Sequence, residues 1–178
     1  MIIDYTYFTI GKLKLAQTGN TEGRTEINQD IEIYEPELLQ KALGYDLWKA
    51  FTDGIEGSGS IETRWESLLS GIEFDYYGKN YKWNGFGPDN KLSPIANYCY
   101  YRYMEDSASD VTLAGTATGA VDNNTRVAPM QKMVNAWNDM VDMLHILHRF
   151  LLSSDDYPEY DETQTDTDVF RYKNSLDL

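Results

Sequence analysis

Asp142, His145 and His148 are spaced three apart in one helical pattern, presenting a carboxylate and two imidazoles. That donor set suits a divalent metal, yet such sites take a fourth ligand or a matching partner helix. Neither is visible in the sequence, so the spacing reads better as two polar histidines flanking an apolar stripe. The acidic pairs Glu35/Glu37 and Asp155/Asp156 carry the two carboxylates that glycoside hydrolysis uses. A chain this acidic supplies such pairs by chance. Gly115 and Gly119 stand in a Thr/Ala context with no following Lys, which excludes a P-loop, and no Gly-x-Ser-x-Gly or Cys–His nucleophile pattern occurs. Cys99 is the single cysteine, so neither an intrachain disulfide nor a thiolate zinc cluster can form. The 14 tyrosines could stack on sugars or bases, but most fall at helix and hairpin spacings that explain them as core and interface. These residues point to an interaction protein without reaction, metal or cofactor.

The element that would position the histidines runs over residues 129–152. Met130, Met133, Val134, Trp137, Met140, Val141, Leu144, Leu147 and Leu151 recur at helical spacing, and Pro129 suits a first helical turn. A stripe of this length needs the rest of the chain packed on it. With 178 residues, one domain with a real core is expected. Fifteen basic against 29 acidic residues give a net charge of −14, the wrong sign for gripping phosphates or an anionic membrane. The same sign would let DNA pass without sticking. No basic start precedes an apolar run, and no apolar run approaches a membrane span, so neither a signal peptide nor a transmembrane helix is expected.

In chain order, residues 1–25 read as an extended N-terminal arm. The β-branched and aromatic residues of positions 1–17 favour an edge strand, and Gly19 and Gly23 a loop. A first helix is expected from Asn28 as N-cap, with Pro36 kinking or restarting it. Leu39, Leu43, Leu47 and Phe51 continue a stripe past a break at Gly44. Residues 54–60 read as a loop, with Ser60 capping a helix that carries Ile61, Trp65, Leu68, Leu69 and Ile72. A hairpin over residues 72–84, turning at Gly78-Lys79, would oppose Tyr76 to Tyr81, Asp75 to Lys82 and Phe74 to Trp83. Ser93-Pro94 opens a tyrosine-dense helix to about Asp106. Its aromatics on several sides call for burial against its own domain and against something else. Residues 107–128 form a long small-residue loop of the functional or disordered kind. The fold class is therefore mainly α, a helical bundle over residues 26–152 with one β-hairpin, flanked by extended arms. The acidic tail, residues 153–178, carries Val169, Phe170 and Tyr172 as a docking patch expected to sit on a partner rather than on its own bundle. Tyr98, Tyr101, Val111, Leu113, Val169, Phe170 and Tyr172 are the candidate assembly residues.

Tyr34-Glu35-Pro36-Glu37-Leu38-Leu39 followed by Leu43-Gly44-Tyr45-Asp46-Leu47 resembles the opening helices of tailed-phage head–tail connector, or adaptor, proteins. The hairpin Tyr76-Tyr77-Gly78-Lys79-Asn80-Tyr81-Lys82-Trp83-Asn84-Gly85 and the helix start Ser93-Pro94-Ile95-Ala96-Asn97-Tyr98 are similar to structural proteins of phages infecting Bacteroidetes. So are Asn123-Asn124-Thr125-Arg126-Val127-Ala128-Pro129 and Lys132-Met133-Val134-Asn135-Ala136-Trp137-Asn138. The resemblance implies a homo-oligomeric ring, of twelve copies, in the virion below the portal protein. Such a ring would be made in the host cytoplasm, extend the DNA channel and dock tail or neck proteins. Genomic DNA would pass its acidic lumen without specific binding, and no membrane would be involved. A tyrosine-rich carbohydrate- or peptide-binding module, monomeric with an aromatic cleft, is the alternative, and a cell-wall enzyme the third reading.

Overall fold

A computed structural model describes residues 1–57, 60–109 and 129–174. Helix α5, Pro129–Ser153, buries Met133, Val134, Trp137, Met140, Val141, Leu144, Leu147 and Leu151 of the expected stripe, while Met130 in its first turn is exposed. Its main partner is α4, Pro94–Ser109, which buries Ile95, Ala96, Tyr98, Cys99, Tyr100 and Tyr101. Ser93 caps α4 as anticipated, its Oγ accepting the Ile95 N–H at 3.1 Å. Helix α4 also packs against α1, Thr21–Leu43, its Tyr98 meeting Tyr34 of α1 as well as Trp137 of α5. The mainly α class is what the structure shows, with a single hairpin among the described residues.

Helix α1 starts earlier than expected. Asn20, not Asn28, is its N-cap, accepting the Gly23 N–H at 2.7 Å. Asn28 instead accepts the Tyr5 N–H at 2.9 Å, holding the N-terminal segment to the helix. Pro36 lies inside α1 without ending it. The break comes at Gly44, whose φ of 76° opens α2, Tyr45–Glu56. Leu39, Leu43, Leu47 and Phe51 are buried across that break. Gly54 belongs to α2 rather than to a loop, and a glycine is needed there because the Trp65 indole lies where a Cβ would project. Helix α3, Thr63–Ser70, has Glu62 rather than Ser60 at its N-cap position and no side-chain cap.

The hairpin pairs β1, Ile72–Tyr76, with β2, Lys79–Trp83. The register differs from the expected one by two residues: Phe74 faces Tyr81, Glu73 faces Lys82 and Ile72 faces Trp83. The turn is Tyr77-Gly78, with φ of 51° and 72°, as a two-residue turn positive at both central positions requires. A slip of two keeps every side chain on its face. Phe74, Tyr81 and Trp83 therefore still turn inward, with Phe74 against Phe150 of α5 and Tyr81 under Arg149.

Both arms pack on the bundle. Residues 1–20 form no edge strand but two 3-10 turns, Tyr5–Phe8 and Ala16–Gly19. Ile3, Phe8 and Leu15 enter the core. Asp4 caps the first turn, accepting the Thr6 N–H at 2.9 Å. After α5 the chain wraps back as a strap over residues 154–174. Tyr157 donates to the Arg64 carbonyl at 2.7 Å, and the Asp166 N–H to the Lys41 carbonyl at 2.8 Å. No helix among the described residues is long and apolar enough to cross a membrane.

Candidate assembly interface

The strap carries three of the seven residues expected to meet a partner. Val169, in the turn Thr167–Phe170, is 1 % exposed and lies in the core between α1 and α5. Phe170 packs on the rings of His145 and His148 at 6.0 Å. Just beyond, the backbone is read like a strand by α5 side chains. Trp137 Nε1 donates to the Arg171 carbonyl at 2.7 Å. Asn138 both donates to the Lys173 carbonyl at 3.0 Å and accepts its N–H at 2.9 Å. The expectation that Val169, Phe170 and Tyr172 anchor on a partner is thus corrected. An apolar pair within an acidic tail docks on the nearest apolar stripe, its own helix, and only Tyr172, 57 % exposed, retains a free face.

The metal-like triad is spent on the same seam. Asp142 accepts the Tyr172 hydroxyl at 2.6 Å. His148 Nδ1 lies 2.6 Å from the Tyr160 hydroxyl, and His145 stacks obliquely on Phe170 and Tyr172. Burial lowers the His148 pKa, and Glu162 opposes this only in part. Among the described residues no group of three His, Cys, Asp or Glu side chains is arranged to hold a metal ion.

Tyr98 and Tyr101 are each 2 % exposed, covered by their own chain. Both rings meet Trp137, and the Lys173 ammonium caps this cluster, 4.2 Å from the Trp137 ring and donating to Tyr101 at 2.7 Å. Burial and Glu105 push the Tyr101 phenol up to about 12. Polar contacts also join α1 and α4. The Tyr34 hydroxyl donates to the Asp106 carboxylate, which with burial raises its pKa to about 12. Arg102 stacks over Tyr34 and pairs with Glu105 at 2.8 Å. Val111 and Leu113 lie outside the described residues, as does most of the expected loop at 107–128, whose first residues belong to α4.

The acidic pairs are committed to separate partners. Glu35 is buried and accepts the N–H groups of Ile2 and Ile3 at 2.8 and 3.2 Å. Burial raises its pKa, partly offset by these bonds. Burial opposes ionisation of Glu37, but the Lys41 ammonium at 2.7 Å, the Tyr98 hydroxyl and Arg102 together outweigh it and hold that carboxyl below its usual range. Asp155 is exposed, and Asp156 accepts from the Ser154 hydroxyl at 3.2 Å.

The outward surface is richest at the hairpin. Tyr77 at its tip is 89 % exposed. Glu73, Asp75, Asn80 and Lys82 form its exposed polar face. The sequence already pairs opposite charges on this face, Asp75 against Lys82, but gives neither the face nor Asn138 a role, although acidic residues on the first strand and lysines on the second are legible there. In comparisons with known proteins, no family model, curated protein or solved structure matches this chain.

Proposed function

We propose that the chain is a structural virion subunit that assembles into a ring between portal and tail, extends the DNA channel and docks tail components. It carries out no reaction. The observation that carries this reading is the pair of opening helices broken at Gly44. They carry the Leu38-Leu39 and Leu43-Gly44-Tyr45-Asp46-Leu47 segments, which are among those on which the resemblance to connector proteins rests. The net charge of −14 supports it, since a like-charged lumen keeps phosphates moving. The self-contained core supports it too, because a subunit that completes its own core can be stored as a monomer before it docks. Negative-stain imaging and mass photometry of the purified chain, with and without portal protein, test the proposal. Closed rings, of twelve copies, are expected. A chain that stays monomeric with portal present and holds a sugar or peptide on its tyrosines would refute it in favour of a binding module.

A further inference from the structure

The hairpin is a two-stranded sheet, so both of its strands are edges among the described residues. Tyr76 and Lys79 flank the two-residue turn, and such a flanking pair exchanges both ladder hydrogen bonds, after which pairs alternate. Glu73 and Asp75 on β1 and Asn80 and Lys82 on β2 therefore direct their N–H and C=O groups away from the hairpin. The side chains of these four residues are exposed. The aromatic face cannot serve a partner, because α5 already covers it through Phe150 and Arg149. What remains is a pair of backbone edges, each beside a row of charge.

The two rows differ in sign. The polar positions of β1 are Glu73 and Asp75, both acidic, whereas β2 offers Lys79 and Lys82 and no acid. Charged edges are a common defence against unwanted pairing, and a lysine on each strand would serve that purpose. Segregation does something else. A twofold contact joining β1 to β1 would oppose acid to acid, and β2 to β2 lysine to lysine, both unfavourable across a ladder. Joining β2 of one copy to β1 of the next sets Lys82 between the acids of its own β1 and those of its neighbour. Copies related by a small rotation, as neighbours in a ring of many copies are, nearly keep their strand directions, so this contact is antiparallel. Being heterologous, it closes into a ring or runs on as a filament.

We infer that the β2 edge of one chain binds the β1 edge of a second copy, a strand-addition contact whose head-to-tail sense is set by the lysines of β2 against Glu73 and Asp75 of β1. Closure into a ring rests on the function proposed above; the edge contact needs only a second copy.

Charge swaps test this. Glu73→Lys puts a lysine on both strands, opposite Lys82, and Lys82→Glu gives a hairpin acidic at both Glu73 and position 82. Each alone should lose at least tenfold of the assembled fraction seen with wild type by mass photometry. An equimolar mixture should recover assembly to within twofold, because each variant's β2 then meets a complementary β1. Repulsion inside one hairpin is not cured by mixing, so recovery reports the contact between chains. Should either variant melt far below wild type, hydrogen exchange on the wild-type chain decides instead. The Glu73, Asp75, Asn80 and Lys82 amides should exchange freely in the dilute subunit and slow at least tenfold in the assembly. Wild-type rings insensitive to the swaps, or edge amides unprotected in them, would overturn the edge contact and leave the ring reading standing. Edge amides already protected in the dilute monomer would show the chain filling its own edge and also overturn it. Open, swap-sensitive chains of copies that never close with portal would keep the contact and remove the ring. A chain monomeric under every condition would remove both.

Discussion

Replacing Val169 by alanine measures how firmly the strap is held. Val169 is 1 % exposed in the core between α1 and α5. Alanine removes two methyl groups at about 0.8 kcal/mol each, and the void left behind raises the loss to about 2–3 kcal/mol. That loss reaches global stability only if the strap and bundle unfold together. If the strap peels first, the loss appears in local opening and global stability falls less. The Lys173 amide, bound to Asn138 Oδ1 at 2.9 Å, reports the local event through hydrogen exchange, and urea unfolding reports the global one. A loss of about 2 kcal/mol corresponds to roughly 30-fold faster exchange of that amide. Asp168→Ala is the control: its side chain is 76 % exposed, and an effect within about 0.5 kcal/mol is expected. Exchange at Lys173 within twofold of wild type, with an unchanged urea midpoint, would refute the idea that Val169 fastens the strap to its own core.

Three further outcomes follow from the packing. Gly54→Ala should lower stability by about 1–3 kcal/mol in urea unfolding, because the new methyl meets the buried Trp65 indole, although helix propensity alone favours alanine by about 1 kcal/mol. The His148 pKa is lowered by burial, so the folded state takes up its proton at lower pH than the unfolded chain. Stability is then lost as pH falls below about 6.5, and melting curves between about pH 7 and pH 5 should fall less for His148→Gln than for wild type. Gly78→Val should cost about 1–2 kcal/mol through its positive φ alone, since a Cβ there meets nothing within 4 Å. Lys79→Ala should stay within about 0.5 kcal/mol, and equal effects in thermal melts would contradict the turn assignment.

Helices α4 and α5 were legible because each carries a strong local signal, Ser93-Pro94 before one and a long regular stripe in the other. The Gly44 break was legible because only glycine sits comfortably at that φ. The hairpin's faces could be read but not its register. Either Tyr77-Gly78 or Gly78-Lys79 makes a two-residue turn, and positive φ at an aromatic residue runs against the usual preference. Asn20 and Asn28 look alike as caps, and what separates them is a contact with Tyr5, which sequence spacing does not carry. The N-terminal segment read as a strand because its residues favour strands locally. Ile3, Phe8 and Leu15 are instead buried at intervals that match no regular period. The strap escaped for a related reason: its few apolar residues find partners far away in sequence. Of the seven candidate assembly residues, Tyr98, Tyr101 and Val169 are buried in the chain's own core: aromatic or apolar character that suggests an interface is also what draws a side chain inward.

The strap also fixes an order of events during synthesis. Gln164 meets Asp46 across a separation of 118 residues, and Tyr157 meets Arg64 across 93. On a ribosome the helices α1 to α5 emerge before the residues that cover their seams, so the bundle waits with part of its apolar surface open. Such distant closures are slow compared with helix formation. A nascent chain paused after α5 is therefore the species most exposed to aggregation, and arrival of Val169 ends that exposure.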